Sequence, residues 1–155
     1  MRLVQLGSAI ALLAALLPVS TGANAQEKVP INLIDEAIEV QGVTAGSESF
    51  TRLASRDRRR KICLGFGASE PEHTLILPRE QPRLRISVDS EGKDTTLLIQ
   101  GPSGIDCNDN YRRAHRDAGV TDRNWPAGTY QIWVGSFNRG DRINYTLRIG
   151  PPQPR

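Results

Sequence analysis

The strongest constraint on the fold of this chain is a set of short segments in which apolar and polar residues alternate one by one. In the clearest segment, Leu84, Ile86 and Val88 would face one side of a strand while the residues between them face the other side. Such alternation is typical of antiparallel sheets with one wet face, and two such sheets packed together would bury their apolar sides. Further alternating or short apolar segments lie at residues 62–66, 73–77, 94–100, 128–136 and 142–150.

Turn-forming residues separate these segments, and no long helical pattern follows residue 50, which argues against enzymes built on parallel sheets. Residues 138–141 (NRGD) predict a hairpin between the last two strands. Residues 78–83 contain two prolines and predict a loop or a sheet edge. The sequence therefore predicts an all-β protein, an antiparallel β-sandwich.

The first 25 residues have the pattern of a secretory signal peptide. Arg2 precedes an apolar run, and small residues follow that run up to Ala25. The run is shorter than the about 20 residues that a membrane-spanning helix needs, although an uncleaved anchor is the rival interpretation. We expect a periplasmic or secreted protein without a membrane span after cleavage. Its predicted parts are the signal peptide at 1–25, a partly extended lead-in at 26–55, the sandwich domain at 56–150 and a flexible tail at 151–155.

The charge balance of the chain argues against nucleic acid as a partner. Without the leader, 19 basic residues face 17 acidic ones, and a net charge of +2 is too small to attract a polyanion by itself. The basic residues are nevertheless clustered in two runs, at 56–61 and 112–116. Each run lies close to one of the two cysteines, Cys63 and Cys107.

An even number of cysteines in an exported chain favours a disulfide, with a metal site or a reactive thiol as the alternatives. A Cys63–Cys107 bridge would bring the two basic runs together as one patch. The patch could meet envelope polysaccharide, an anionic surface or a secreted protein, and the alternative is an ordinary solvated loop surface. The candidate contact residues are Arg58, Arg59, Arg60, Arg112 and Arg113.

Two aromatic residues belong to the same hypothesis. Trp133 lies on the face of its strand opposite Tyr130, Ile132 and Val134. There it could form an exposed platform for sugar or peptide, or it could pack in a second core layer. Tyr111 adjoins the second basic run and is the other aromatic candidate of the binding surface.

The segment around Cys107 is rich in side-chain oxygens. Asp106, Asn108, Asp109 and Asn110 form a candidate calcium site, but they supply at most two carboxylates where calcium takes six to eight oxygen ligands. Asn and Asp also fill turns for structural reasons, because their side chains bond the nearby backbone. The segment is therefore either a turn or a weak cation site, and no other cofactor is expected.

The sequence does not predict a catalytic site. The two histidines, His73 and His115, have no G-x-S-x-G nucleophile motif to accompany them, and a bridged Cys107 could not act as a nucleophile. Two isolated histidines and two bridged cysteines would also not supply the three or four ligands of a zinc site. We therefore expect a protein that is not an enzyme.

Five short motifs follow one another between residues 94 and 147. They are Asp94-Thr95, Pro102-Ser103-Gly104, Asn108-Asp109-Asn110, Pro126-Ala127-Gly128-Thr129-Tyr130 and Tyr145-Thr146-Leu147. Their order and spacing resemble the bacterial pre-peptidase C-terminal domain, and the Cys63 and Cys107 pair resembles its stand-alone exported version. The resemblance implies a jelly-roll-like β-sandwich of a kind that is usually a non-catalytic appendage of secreted peptidases. Some relatives bind extracellular polymers or calcium.

These features together favour an exported, non-catalytic binding or adaptor module of the cell envelope. The alternative is an accessory or inhibitory partner of a secreted peptidase, because the resembling domain is usually attached to one.

Overall fold

The computed structural model describes residues 27–30, 37–111 and 115–152. The predicted signal peptide lies outside the described residues, as do Arg112 and Arg113. Within the described ranges the chain forms eleven strands and one four-residue helix, α1 (Phe50–Leu53). The strands are β1 (Glu27–Pro30), β2 (Ile38–Val43), β3 (Glu48–Ser49), β4 (Phe66–Gly67), β5 (His73–Leu77), β6 (Gln81–Asp89), β7 (Thr95–Gly101), β8 (Gly104–Asn108), β9 (Gly119–Trp125), β10 (Gly128–Ser136) and β11 (Asn144–Gly150).

The described strands form two sheets. In the larger sheet, β10 pairs with β7 on one edge and with β5 on the other, β8 lies beyond β7, and β1 lies beyond β5. The short strands β4 and β3 continue this sheet past the end of β5. The smaller sheet has the order β2-β11-β6-β9. All described pairings are antiparallel except that of β1 with β5, so the predicted antiparallel β-sandwich is confirmed.

The connectivity is jelly-roll-like, because successive strands from β5 to β11 change sheets at every connection except the one between β7 and β8. That exception is a tight hairpin in which Pro102 and Ser103 form the turn between the paired residues Gly101 and Gly104. Gly104 has a φ of +104°, a value that residues with a side chain rarely adopt. The predicted Pro-Ser-Gly turn is therefore present.

The main core fills the space between the two sheets. The alternating segments contribute to it as predicted, since Leu84, Ile86 and Val88 of β6 are all buried there. Burial of aliphatic and aromatic side chains of this size contributes about 1.5–3 kcal/mol each and is the main source of stability. The other members are Leu75, Leu77, Leu97, Ile99, Ala118, Val120, Trp125, Tyr130, Ile132, Val134, Tyr145, Leu147 and Ile149.

A second, smaller core lies on the outer face of the larger sheet, beneath the chain between α1 and β4. The glycines of β4 and β10 make room for Phe50, since a Cβ atom on Gly67 would approach its ring to 2.6 Å and one on Gly135 to 2.8 Å. The large residues of this core hold the covering segment against the sheet. Its buried members are Phe50, Ala54, Cys63, Leu98, Cys107 and Trp133.

The predicted hairpin at residues 138–141 is wrong. The strands that it connects, β10 and β11, belong to different sheets, and the segment crosses from one sheet to the other. Thr44, just after β2, holds this crossing: its hydroxyl donates to the carbonyl oxygen of Asp141 at 2.7 Å and accepts from the Ile143 amide at 2.9 Å. β11 therefore pairs with β2 and β6 instead of with β10.

Two other boundaries differ from the prediction. The supposed lead-in contains β2, which pairs with β11 over six residues, so the sandwich starts well before residue 56. In the predicted strand at 62–66, Phe66 alone belongs to a strand, β4, and Cys63 lies in a loop. Conversely, β6 starts at Gln81 and includes Pro82, which faces no ladder partner because the pairs on either side are Gln81–Trp125 and Arg83–Arg123.

Candidate binding surface

The predicted disulfide is present and anchors the covering segment of the second core. Cys63 is bonded to Cys107 on β8, and their Cα atoms are 5.4 Å apart. Residues 52–64 run from the end of α1 through Cys63 to Leu64, and we call them the basic loop. It contains five arginines and one lysine.

Asp57 organises the tip of the basic loop. Its side chain is buried, and its Oδ1 atom accepts the backbone N–H groups of Arg59 and Lys61, each at 2.8 Å. The Asp57 amide donates to the Lys61 carbonyl at 2.9 Å, and Arg60 takes a left-handed conformation with φ of +68°. Because these bonds close a tight turn, the cationic side chains around it point away from the turn and are exposed.

Arg58 and Arg59 tie the two sheets together at an edge where they share no backbone ladder. Asp106 belongs to β8 of the larger sheet and Asp122 to β9 of the smaller one. The Arg58 Nε atom lies 2.9 Å from Asp106 Oδ1, and its Nη2 atom contacts Asp122 Oδ2. Arg59 Nη2 lies 2.7 Å from the same Asp122 oxygen. The hydrogen bond with Asp106 raises the pKa of Arg58, and both arginines serve the fold.

The Asp106 carboxylate, a candidate cation ligand from the sequence, is buried and accepts hydrogen bonds from Arg58, so a cation would have to compete with this arginine for it. Asn108 bonds the protein as well: its Oδ1 accepts the Gly119 amide at 3.0 Å, and its Nδ2 donates to the Asn110 carbonyl at 3.2 Å. Asp109 is half-buried and Asn110 exposed. In the part of the chain that the structure describes, no group of three or more His, Cys, Asp or Glu side chains could hold a metal. Asp106 and Asn108 lie on β8, and the chain bends at Asp109, directly after the strand.

The remaining cations of the loop tip are differently placed. Arg56, Arg60 and Lys61 are exposed, and among residues 37–111 and 115–152 no carboxylate oxygen lies within 4 Å of their charged nitrogens. The Arg56 guanidinium donates to the Arg60 carbonyl at 2.8 Å, which fixes its position without neutralising its charge. These three residues are the unpaired cations of the loop.

Apolar side chains accompany these cations. Leu53, Ile62 and Leu64 are 37%, 51% and 44% exposed, which is unusual for aliphatic residues beside a core. Ile62 and Leu64 flank Cys63, and because the cysteine side chain is fully buried, its neighbours point toward solvent. The sequence predicts a short apolar strand at residues 62–66, but the apolar run alone does not reveal which of its side chains face outward.

A small pocket adjoins the basic loop at the edge bridged by Arg58. Trp125 and Tyr130 line it, together with the Arg58, Asp106 and Asp122 cluster. Its polar groups already have partners within the protein: the Trp125 indole N–H donates to the Asp122 carbonyl at 3.2 Å, and the Tyr130 hydroxyl donates to the Pro126 carbonyl at 2.8 Å. A ligand would have to displace these contacts to bind there.

Other predicted surface residues are placed elsewhere. Trp133 is only 5% exposed and packs in the second core, so the hypothesis of an exposed aromatic platform is wrong. Tyr111 is half-buried, with the Arg85 guanidinium 4.2 Å from its ring centre. The two basic runs lie at opposite ends of β7. In the second run, the Arg116 carbonyl accepts a hydrogen bond from the Thr95 amide at the start of β7. In the first run, the Arg58 amide donates to the carbonyl of Ile105, which pairs with Gln100 near the end of β7. Arg116 therefore does not join the first run.

The two histidines are also separated. His73 is buried at the start of β5, where its Nε2 atom lies 2.8 Å from the Tyr145 hydroxyl. His115 is exposed. Next to His73, burial raises the pKa of Glu72 to about 7. The only sign of this in the sequence is an acidic residue directly before an apolar strand. The Glu72 carboxylate accepts the Val134 amide at 3.0 Å.

Fold and surface together define a small β-sandwich module that carries an ordered, disulfide-anchored basic loop. No family model matches the chain. It is 37% identical to an uncharacterized protein of Synechococcus elongatus over 95 residues, which are 59% of this chain and 66% of that protein, slightly less than two thirds of its length.

Two solved structures are similar to the sandwich. One is the pre-peptidase C-terminal domain of collagenase from Bacillus anthracis, with a TM-score of 0.48 and 13% identity over 79% of this chain and 92% of that domain. It bears the name of the family that the motifs resemble. The other is PliG of Aeromonas hydrophila, a periplasmic inhibitor of g-type lysozyme, with a TM-score of 0.46 and 12% identity over 81% of this chain and 96% of that one. At these values neither likeness assigns a function to this chain.

Proposed function

We propose that the protein is an exported, non-catalytic β-sandwich that binds a component of the cell envelope through the basic loop. The observation that carries this proposal is the presence of three exposed cations without a carboxylate partner among the described residues, beside three exposed aliphatic side chains, on one ordered loop. When exposed apolar side chains are gathered on a charged surface, that surface is more often an interaction site than a loop that contacts only solvent.

Export is supported by the leader pattern at residues 1–25 and by the Cys63–Cys107 disulfide, since disulfides persist mainly in oxidising compartments. No described helix has the length and hydropathy to cross a membrane. A binding role without catalysis is supported by the placement of His73, which is buried against Tyr145 at the start of β5 and does not belong to the basic loop.

The test is retention on insoluble envelope material with a variant that reverses the unpaired cations, Arg56→Glu, Arg60→Glu and Lys61→Glu. Arg58 and Arg59 are left unchanged, because their reversal would break the bridge between the sheets. We expect at least a tenfold loss of retention with an unchanged thermal melt. Equal retention of the variant and the parent would overturn the proposal.

The matched control reverses three exposed cations outside the loop, Arg79, Lys93 and Arg142. It changes the net charge by the same amount, so it separates local binding from a general effect of charge, and it should be retained as the parent is. Recovery of a secreted peptidase as the bound species would instead support the accessory or inhibitory role.

A further inference from the structure

We propose that the partner of the basic loop is an anionic lipid surface, into which Leu53, Ile62 and Leu64 insert while the unpaired cations contact the phosphate groups. This inference rests on the proposed function and names its partner. Peripheral proteins bind such surfaces by combining shallow apolar insertion with attraction between basic side chains and anionic headgroups. Both kinds of side chain are present here within thirteen residues.

The type of exposed apolar residue favours lipid over polysaccharide. Sugar-binding surfaces present flat aromatic rings, whereas Trp125, Tyr130 and Trp133 are each 5% exposed or less. The exposed apolar side chains of the basic loop are all aliphatic. Aliphatic side chains gain most from transfer into hydrocarbon, and they gain nothing from stacking on a sugar.

The same comparison distinguishes lipid from an acidic protein. The centres of protein interfaces are enriched in tryptophan, tyrosine and arginine that fill well-packed pockets. In the pocket next to the loop, Trp125 and Tyr130 are only 4% and 3% exposed. The Arg58 guanidinium there already contacts Asp106 and Asp122, so these groups are not available to form such a centre. The unpaired cations and the exposed aliphatic side chains lie on the loop itself, where both kinds of side chain are open to solvent.

The loop is ordered before any contact is made. Cys63 is bonded to β8, the Asp57 carboxylate holds the turn, and Arg58 clamps the loop to both sheets. A loop that is already ordered loses less conformational entropy on binding than a flexible one. The three leucine and isoleucine side chains can therefore contribute to binding even though each buries only a modest area.

Three cations near an anionic surface should together change vesicle partitioning by about 100-fold at low salt. The attraction between exposed charges is screened within about 10 Å at 0.1 M salt, so partitioning should fall as salt rises. Loss of the apolar insertion should weaken binding even at low salt, because apolar transfer does not depend on ionic strength.

The experiment is co-sedimentation of the protein, purified in its exported form, with phosphatidylcholine vesicles that contain or lack phosphatidylglycerol. We expect binding only with phosphatidylglycerol. It should be at least about 100-fold weaker for the charge-reversed variant, which loses the attraction of three cations and adds the repulsion of three anions. It should be at least tenfold weaker for Leu53→Ser, Ile62→Ser and Leu64→Ser together. The control replaces Val43, Ile76 and Phe137, which are exposed outside the loop, by serine and should bind as the parent does. Thermal melts verify that each variant is folded.

A soluble polyphosphate separates a lipid surface from phosphate alone. If the serine variant of the loop binds polyphosphate like the parent but loses vesicle binding, the lipid proposal is supported. Equal binding to vesicles with and without phosphatidylglycerol, or no effect of the serine variant, overturns it. If vesicle binding is absent while retention on envelope material still depends on the cations, the lipid proposal fails and the proposed function stands. If both are absent, both fail.

Discussion

Replacement of Glu72 by glutamine should remove a loss of stability that we expect in the parent protein as the pH rises from 4.5 to 7. Glu72 lies just before the start of β5, beside β10, and its Oε2 atom accepts the Val134 amide at 3.0 Å. Its Oε1 atom is buried without a hydrogen-bond partner among the described residues. Desolvation therefore outweighs the backbone hydrogen bonds and raises the pKa of Glu72 from 4.5 to about 7.

The sign of the effect follows from proton binding. Below pH 4.5 the carboxyl group is protonated in both the folded and the unfolded state. Folding then buries no charge at this position, so the stability of the protein carries no penalty from it. Between pH 4.5 and 7 the folded state holds a proton that the unfolded state has released, so the free energy of unfolding falls as pH rises. A pKa difference of this size corresponds to a loss of about 3 kcal/mol, complete above pH 7.

Urea denaturation of Glu72→Gln and of the parent at pH 4.5, 6 and 8 measures this loss directly. The glutamine oxygen can still accept the Val134 amide, while its amino group meets the same unpartnered site at every pH. The variant should therefore gain about 3 kcal/mol relative to the parent between pH 4.5 and pH 8. Glu70→Gln, at an exposed position in the same connection, is the control and should show no such trend. A difference between variant and parent that is the same at pH 4.5 and pH 8 would refute the reasoning.

Four further outcomes can be measured with the same unfolding assays. Trp133→Ala should lower the free energy of unfolding by about 3 kcal/mol, the lower end for a buried aromatic residue, because its indole N–H has no partner in the described residues. Serine at both cysteines should cost up to about 4 kcal/mol, since the bridge closes a loop with a sequence separation of 44. Asp106→Asn should cost about 1.5–3 kcal/mol, whereas Glu39→Gln, in an exposed pair with Arg148, should cost little. Calcium and a chelator should both leave the melting temperature unchanged, because the Asp106 carboxylate already binds arginine.

The sequence predicts the strands well where one face of a strand is buried and the other is wet. Alternation predicts both β6 and β11 and their inward residues, because a period of two matches a strand and does not match the 3.6-residue period of a helix. In β10 it predicts the residues that face the main core, although much of the opposite face is also buried, under the second core. The segment that forms β2 is predicted only as part of a partly extended lead-in, because the spacing of the apolar residues there fits a helix in part as well as a strand. It becomes a strand through six pairs with β11, about a hundred residues later in the chain. The apolar pattern of the β2 segment alone does not show that β11 is its partner.

The same limit explains the errors at the surface. The choice between a hairpin and a crossing at residues 138–141 depends on Thr44, which receives and donates the bonds that hold the crossing. The partner of Arg58 and Arg59, Asp122, is more than sixty residues away in the sequence. A run of arginines therefore looks uniform as a sequence, although the fold divides it into paired and unpaired members.

This division is the basis for interpreting the basic loop. Arg58 and Arg59 contact two carboxylates, and their removal would be felt as instability of the sandwich edge. Arg56, Arg60 and Lys61 form no ion pair among the described residues, so their replacement should leave the free energy of unfolding almost unchanged. A variant that keeps the parent's melting temperature and loses retention on the envelope therefore separates binding from folding within a single loop.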